Sequence, residues 1–107
     1  MSEARCVHVE TLVGQPVTVR LWEDRTRGSR WNPIYDMAVL RCIGDDYERT
    51  RNIRVDDVGM RQFEFLALSP GLHEVTFELR YGWKFSAENR LVYLFHTSPA
   101  PSGLGTP

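Results

Sequence analysis

The chain is organised by a two-residue alternation of apolar and polar positions, the mark of strands with one buried face. Val7 and Val9 alternate with His8 and Glu10, and after the break at Gly14-Gln15-Pro16 the row Val17, Val19, Leu21 alternates with Thr18 and Arg20. Phe63, Phe65 and Ala67 stand beside Gln62 and Glu64. Ser69-Pro70-Gly71 then supplies turn chemistry, since proline presets φ and glycine tolerates a positive one. Val75, Phe77 and Leu79 alternate with Glu74, Thr76, Glu78 and Arg80, and residues 91–96 form a last apolar run that closes the sheet. Two further strands are predicted around residues 31–35 and 37–43, the first interrupted by Asn32-Pro33, which suits an edge or a bulge. No segment carries a sustained stripe of helical period. The pattern predicts an all-β fold, an immunoglobulin-like β-sandwich of six to eight short strands.

Length and composition narrow the picture further. A chain of 107 residues with 42% hydrophobic content holds one core, expected over residues 1–97. Residues 98–107, rich in Pro, Gly and Ser, are expected to form a flexible tail that neither extends a strand nor packs a face. Thirteen basic side chains against fourteen acidic ones leave a net charge of -1, so no nucleic acid and no membrane surface is expected as partner. A monomer is expected. Twelve of the thirteen cations are Arg, with Lys84 the exception, which favours forked pairing with carboxylates and stacking on rings. Met1-Ser2-Glu3-Ala4-Arg5 has neither the basic nor the apolar block of a secretory signal, which predicts a cytoplasmic protein, or a periplasmic or secreted one if a signal has been removed. Cys6 and Cys42 are read as small buried apolar groups in a reducing compartment, a single bridge being the minor alternative.

The candidate chemistries each meet a simpler reading. Cys6 and His8 share a strand face, but zinc asks for three or four ligands and only His73 and His96 remain to complete the set, so no metal and no cofactor are expected. Cys42 lies after Leu40 and before Ile43, an apolar context where burial silences a thiol. Asp45-Asp46 and Asp56-Asp57 lack the spacing of a calcium loop and are read as solvated turns with Arg partners such as Arg49, Arg51 and Arg54. No phosphate-binding glycine loop or nucleophile elbow is present, and the protein is not expected to be an enzyme.

Function in a sandwich of this kind lives on loops gathered at its ends. Three loops stand out: residues 23–30, closed by Trp31; Asp56-Asp57-Val58-Gly59, ahead of Phe63; and Tyr81-Gly82-Trp83, followed by Lys84 and Phe85. Their aromatic content, with Trp22, Trp31, Tyr35, Tyr81, Trp83 and Phe85 in or beside two of them, is that of interface anchors, although a Trp at a strand start such as Trp31 is first of all a core residue.

At these loops the sequence resembles the chagasin-type inhibitors of papain-like cysteine peptidases, immunoglobulin-like sandwiches that insert three loops into the target's active-site cleft. Asp24-Arg25-Thr26-Arg27-Gly28 stands where the family has Asn-Pro-Thr-Thr-Gly, and Trp31 matches the Trp three residues later. Asp56-Asp57-Val58-Gly59 stands at the family's Gly-x-Gly-Gly, four residues before the matching Phe63, and Tyr81-Gly82-Trp83 stands at its Arg-Pro-Trp. Thr26, Gly28, Trp31, Gly59 and Trp83 are retained. The resemblance implies a reversible protein inhibitor of a papain-like cysteine peptidase. Residues 24–28 would lie at the catalytic centre, Trp83 against the cleft wall, residues 56–59 on the other side, and Trp31 in support. The alternative is a non-inhibitory immunoglobulin-like protein-binding module with redirected loops. Arg25 and Arg27 replace the family's compact tip with long cations of high rotamer entropy, which suit a different partner or an acidic rim on the same kind of partner.

Overall fold

The computed structural model describes residues 5–49, 58–81 and 89–100, with Arg27 described by its backbone alone. Seven strands form two sheets. The strands are β1 (Arg5–Leu12), β2 (Val17–Asp24), β3 (Ser29–Tyr35), β4 (Leu40–Arg49), β5 (Val58–Ala67), β6 (Gly71–Tyr81) and β7 (Asn89–Ser98), with one 3₁₀ turn, Arg25–Arg27, between β2 and β3. The order is β1-β7-β6-β3 in the four-stranded sheet and β2-β5-β4 in the three-stranded one. All pairings are antiparallel except β1 with β7. The predicted sandwich is therefore the observed architecture. Strand β3 is an edge, one of the two settings that Asn32-Pro33 suits, because proline has no N–H to give a second neighbour.

The inward rows of the alternation meet between the sheets. Val19, Leu40, Phe63, Phe65, Val75, Phe77 and Phe95 are at most 2% exposed. Phe65 is the centre of the packing: Tyr35, Phe77 and Phe95 present ring edges to it at centroid distances of 5.2, 6.0 and 6.0 Å. Edge-to-face pairs of this kind contribute roughly 0.5–1.5 kcal/mol each beyond the area they bury.

Three expectations are corrected. Asp45 and Asp46 are not turn residues but lie within β4. The register of β4 on β5 shifts between Cys42 and Gly44, a bulge that moves the inward row from Leu40 and Cys42 to Asp45 and Tyr47. The broken alternation hides the second half of the strand. Val58 and Gly59 likewise open β5 and are not free loop residues. A Cβ on Gly59 would drive into the carbonyl oxygen of Glu48 and come within 2.9 Å of Arg49 Cα, so glycine is needed there for strand contact. Finally, Cys6 is exposed, because it shares the outward face of β1 with His8 and Glu10 while Val7, Val9 and Thr11 turn inward. Cys42 is half-buried, and both thiols are free.

Candidate functional site

The pairing register brings the described strand ends from which the three predicted loops leave to one end of the sandwich. At the base of the first loop Asp24 pairs with Val58, where β5 begins, and Ser29 pairs with Tyr81, where β6 ends. Arg49, the last residue of β4, pairs with Gly59. The chain from β4 to β5 and the chain leaving Tyr81 therefore both connect at the two feet of the β2–β3 loop. Asp56, Asp57, Gly82 and Trp83 lie outside the described residues.

The β2–β3 loop is short and heavily bonded. Asp24 caps the 3₁₀ turn, its carboxylate accepting from the Thr26 N–H at 3.1 Å. Gly28 ends the turn with φ of 77°, and its N–H donates to the Arg25 carbonyl. That left-handed conformation explains the glycine directly. Ser29 Oγ donates to the Asp24 carbonyl at 2.6 Å, and the indole N–H of Trp31 donates to the Trp22 carbonyl at 2.7 Å, tying the two strands beneath the turn. Trp31 is 6% exposed and belongs to the core.

Beneath the turn the core changes from apolar to ionic. Glu23 occupies the inward position after Val19 and Leu21 and is fully buried. One carboxylate oxygen accepts from Arg25 Nε at 2.6 Å; the other accepts from Arg61 at 2.8 Å and from the Trp31 N–H at 2.8 Å. Arg61 also makes a forked pair with Asp45, at 2.5 and 2.9 Å, and its guanidinium lies 4.6 Å from the Phe63 ring centre. The Asp45 hydrogen bonds, assisted by the charge of Glu23, hold the Arg61 pKa above its ordinary value against the effect of burial. Arg25 lies over the Tyr47 ring at 3.7 Å.

This network corrects the expectation for Arg25. It is not a long mobile cation at the tip: a buried carboxylate and an aromatic face fix it in place. Thr26 and Gly28 are exposed at the loop surface. Sequence reasoning placed Glu23 at the start of the first loop without its buried, ion-paired role, and missed Asp45, Tyr47 and Arg61 as its partners. A charge at the inward position of the β2 alternation is the signal that could have found Glu23; the bulge concealed Asp45 and Tyr47. Trp22, 54% exposed on the outward face of β2, is a further aromatic beside the loop.

The other candidate chemistries fall elsewhere. His8 and His96 touch through their ring nitrogens at 2.8 Å, with Cys6 Sγ 3.9 Å from His8. His73 is buried on a different strand, hydrogen-bonded to the Ser69 carbonyl at 2.7 Å. Among the described residues no three His, Cys, Asp or Glu side chains form a group that could hold a metal ion.

Comparison with known proteins places this geometry in context. Residues 10–96 match the family model described as the chagasin family peptidase inhibitor I42. Comparison with curated proteins finds no significant match. Among solved structures, the chain is similar to the cysteine protease inhibitor EhICP2 from Entamoeba histolytica, with a TM-score of 0.73 and 13% identity over 89% of this chain and 96% of that one. It is also similar to amebosin in solution, with a TM-score of 0.65 and 13% identity over 91% of this chain and all (100%) of the other. At these identities the structural likeness speaks for the fold.

Proposed function

The chain belongs to the chagasin family of peptidase inhibitors, and from that premise we propose that its loop end enters the active-site cleft of a papain-like cysteine peptidase. The protein is a peptidase inhibitor and not an enzyme. The observation that carries the proposed geometry is the pairing of Asp24 with Val58 and of Ser29 with Tyr81, which gathers the roots of all three loops at one edge of the sandwich. Residues 24–28 form the central wedge, residues 56–59 flank it on one side, and Tyr81, Gly82 and Trp83 on the other. Inhibition is by occupancy and is reversible. The wedge is a turn held by caps at both ends, and such pre-ordering lowers the entropy lost on binding.

An inhibitor interface of ordinary size covers about 800 Å² on each partner and draws most of its energy from a few aromatic anchors. Titration against a panel of papain-like peptidases tests the reading. Inhibition competitive with substrate is expected, and its absence at micromolar inhibitor across the panel would overturn it. Trp83→Ala is expected to cost about 2 kcal/mol of binding, roughly thirtyfold in affinity, with the fold unchanged.

A further inference from the structure

Tyr47 lies outside all three loops, on β4 opposite Arg61, yet its ring is joined to the wedge. The Arg25 guanidinium rests on the ring face 3.7 Å from its centre, while Arg25 Nε donates to the buried Glu23 carboxylate at 2.6 Å. A cation held between a carboxylate and an aromatic face has few rotamers left, and the Arg25 side chain is only 22% exposed. The backbone of the same residue closes the turn, because the Arg25 carbonyl accepts from the Gly28 N–H at 3.0 Å. A chain of contacts thus runs from β4 through Arg25 to Gly28, the positive-φ residue that ends the turn. The carboxylate side of this clamp is itself held, since Arg61 joins Glu23 on β2 to Asp45 on β4.

We propose that Tyr47 is a positioning residue for inhibition: acting through Arg25, its ring braces the β2–β3 turn in one shape and leaves exposed Thr26, not residue 25, to meet the peptidase. The partner comes from the inhibitory reading; the brace comes from the Tyr47, Arg25 and Gly28 contacts alone. A turn held in this way loses less conformational freedom when it is bound. Because Glu23 already neutralises the Arg25 guanidinium, the gain is in pre-ordering and not in long-range attraction to a charged rim.

Tyr47→Leu removes the ring face and Tyr47→Phe keeps it. Against a papain-like peptidase that the protein inhibits, Tyr47→Leu is expected to weaken inhibition about fivefold, and Tyr47→Phe to restore it to within about twofold. In the Arg25→Met background, where no cation is left to hold, Tyr47→Leu is expected to add less than about twofold. No loss in the Leu variant, equal losses in the Leu and Phe variants, or a full loss in the Arg25→Met background overturns the brace. The unbound protein supplies an independent arm. By NMR, solvent exchange of the Thr26 and Gly28 amides is expected to quicken about fivefold in Tyr47→Leu and not in Tyr47→Phe, with the Phe65 and Phe77 amides unchanged. Exchange that stays the same, or that quickens equally in the core strands, counts against the brace whether or not a peptidase is inhibited. Quickened exchange confined to the turn, with no peptidase inhibited, keeps the brace and removes the inhibitory reading.

Discussion

Glu23 is the residue on which the loop end depends. A carboxylate with no solvent contact is tolerated because both oxygens are filled, by Arg25 on one side and by Arg61 and the Trp31 N–H on the other. Glu23→Ala leaves two guanidiniums partly buried without their carboxylate, and is expected to cost about 3 kcal/mol in urea unfolding, the scale for breaking a buried pair. Gly28 is tested more gently. Nothing lies within 4 Å of a Cβ built there, so Gly28→Ala meets only the strain of its positive φ. A loss of about 1 kcal/mol is expected, with a larger fractional loss of inhibition because the strain is relieved by reshaping the turn. The two thiols differ as well. Burial pushes the Cys42 thiol above its ordinary pKa, while Cys6 is exposed, so a maleimide at neutral pH is expected to label Cys6 first and Cys42 slowly. Mass spectrometry of the partly labelled protein reads the order.

The bulge in β4 does at the level of the strand what no single side chain does. By inserting one residue at Ile43 it moves the inward row from even to odd positions, so that Asp45 reaches Arg61 and Tyr47 lies under Arg25. Ile43 itself is 44% exposed. Its deletion leaves a regular ladder in which Gly44, Asp45 and Tyr47 still stand opposite Glu64, Phe63 and Arg61, so both side chains are expected to stay inward and Tm to shift by less than about 4 °C, the scale of one kcal/mol in a domain of this size. Ile43→Thr keeps the bulge and is expected to change stability by no more than about 0.5 kcal/mol. Calorimetry of the two variants distinguishes the inserted backbone residue from its side chain. The bulge also shows why half of β4 was illegible. Leu40 and Cys42 announce a strand, but a period-two count stops where the parity changes, and the acidic pair then reads as a turn. On β2 the alternation runs unbroken, and there the expected inward row of Val19 and Leu21 is the observed one.

Across the whole molecule the charge balance of -1 conceals local specialisation. Most of the loop-end cations are matched: Arg25 and Arg61 by Glu23 and Asp45, Arg80 and Arg90 by Glu78. The Arg80 guanidinium, joined by Arg90, holds the Glu78 carboxyl below its usual pKa in spite of burial. A folded-state value below the unfolded one, roughly 4.3 for a free glutamate, makes this contribution complete above that pH. It is lost as pH falls through the folded value. Urea midpoints are expected to decline as the solution is acidified through that range, with a shallower decline in Glu78→Gln. The sequence by itself determined the sandwich, the inward rows of β1, β2, β5 and β6, an edge or a bulge at Asn32-Pro33 and the family resemblance, because alternation, proline chemistry and loop spacing are local properties of the chain. Tertiary structure alone decided that Arg25 is fixed, that Arg30 faces Arg80, and that a buried Glu23 joins β2, β3 and β5. Each depends on which residues of distant strands stand opposite one another, and register at a bulge or across an edge pair is settled only when the sheets assemble.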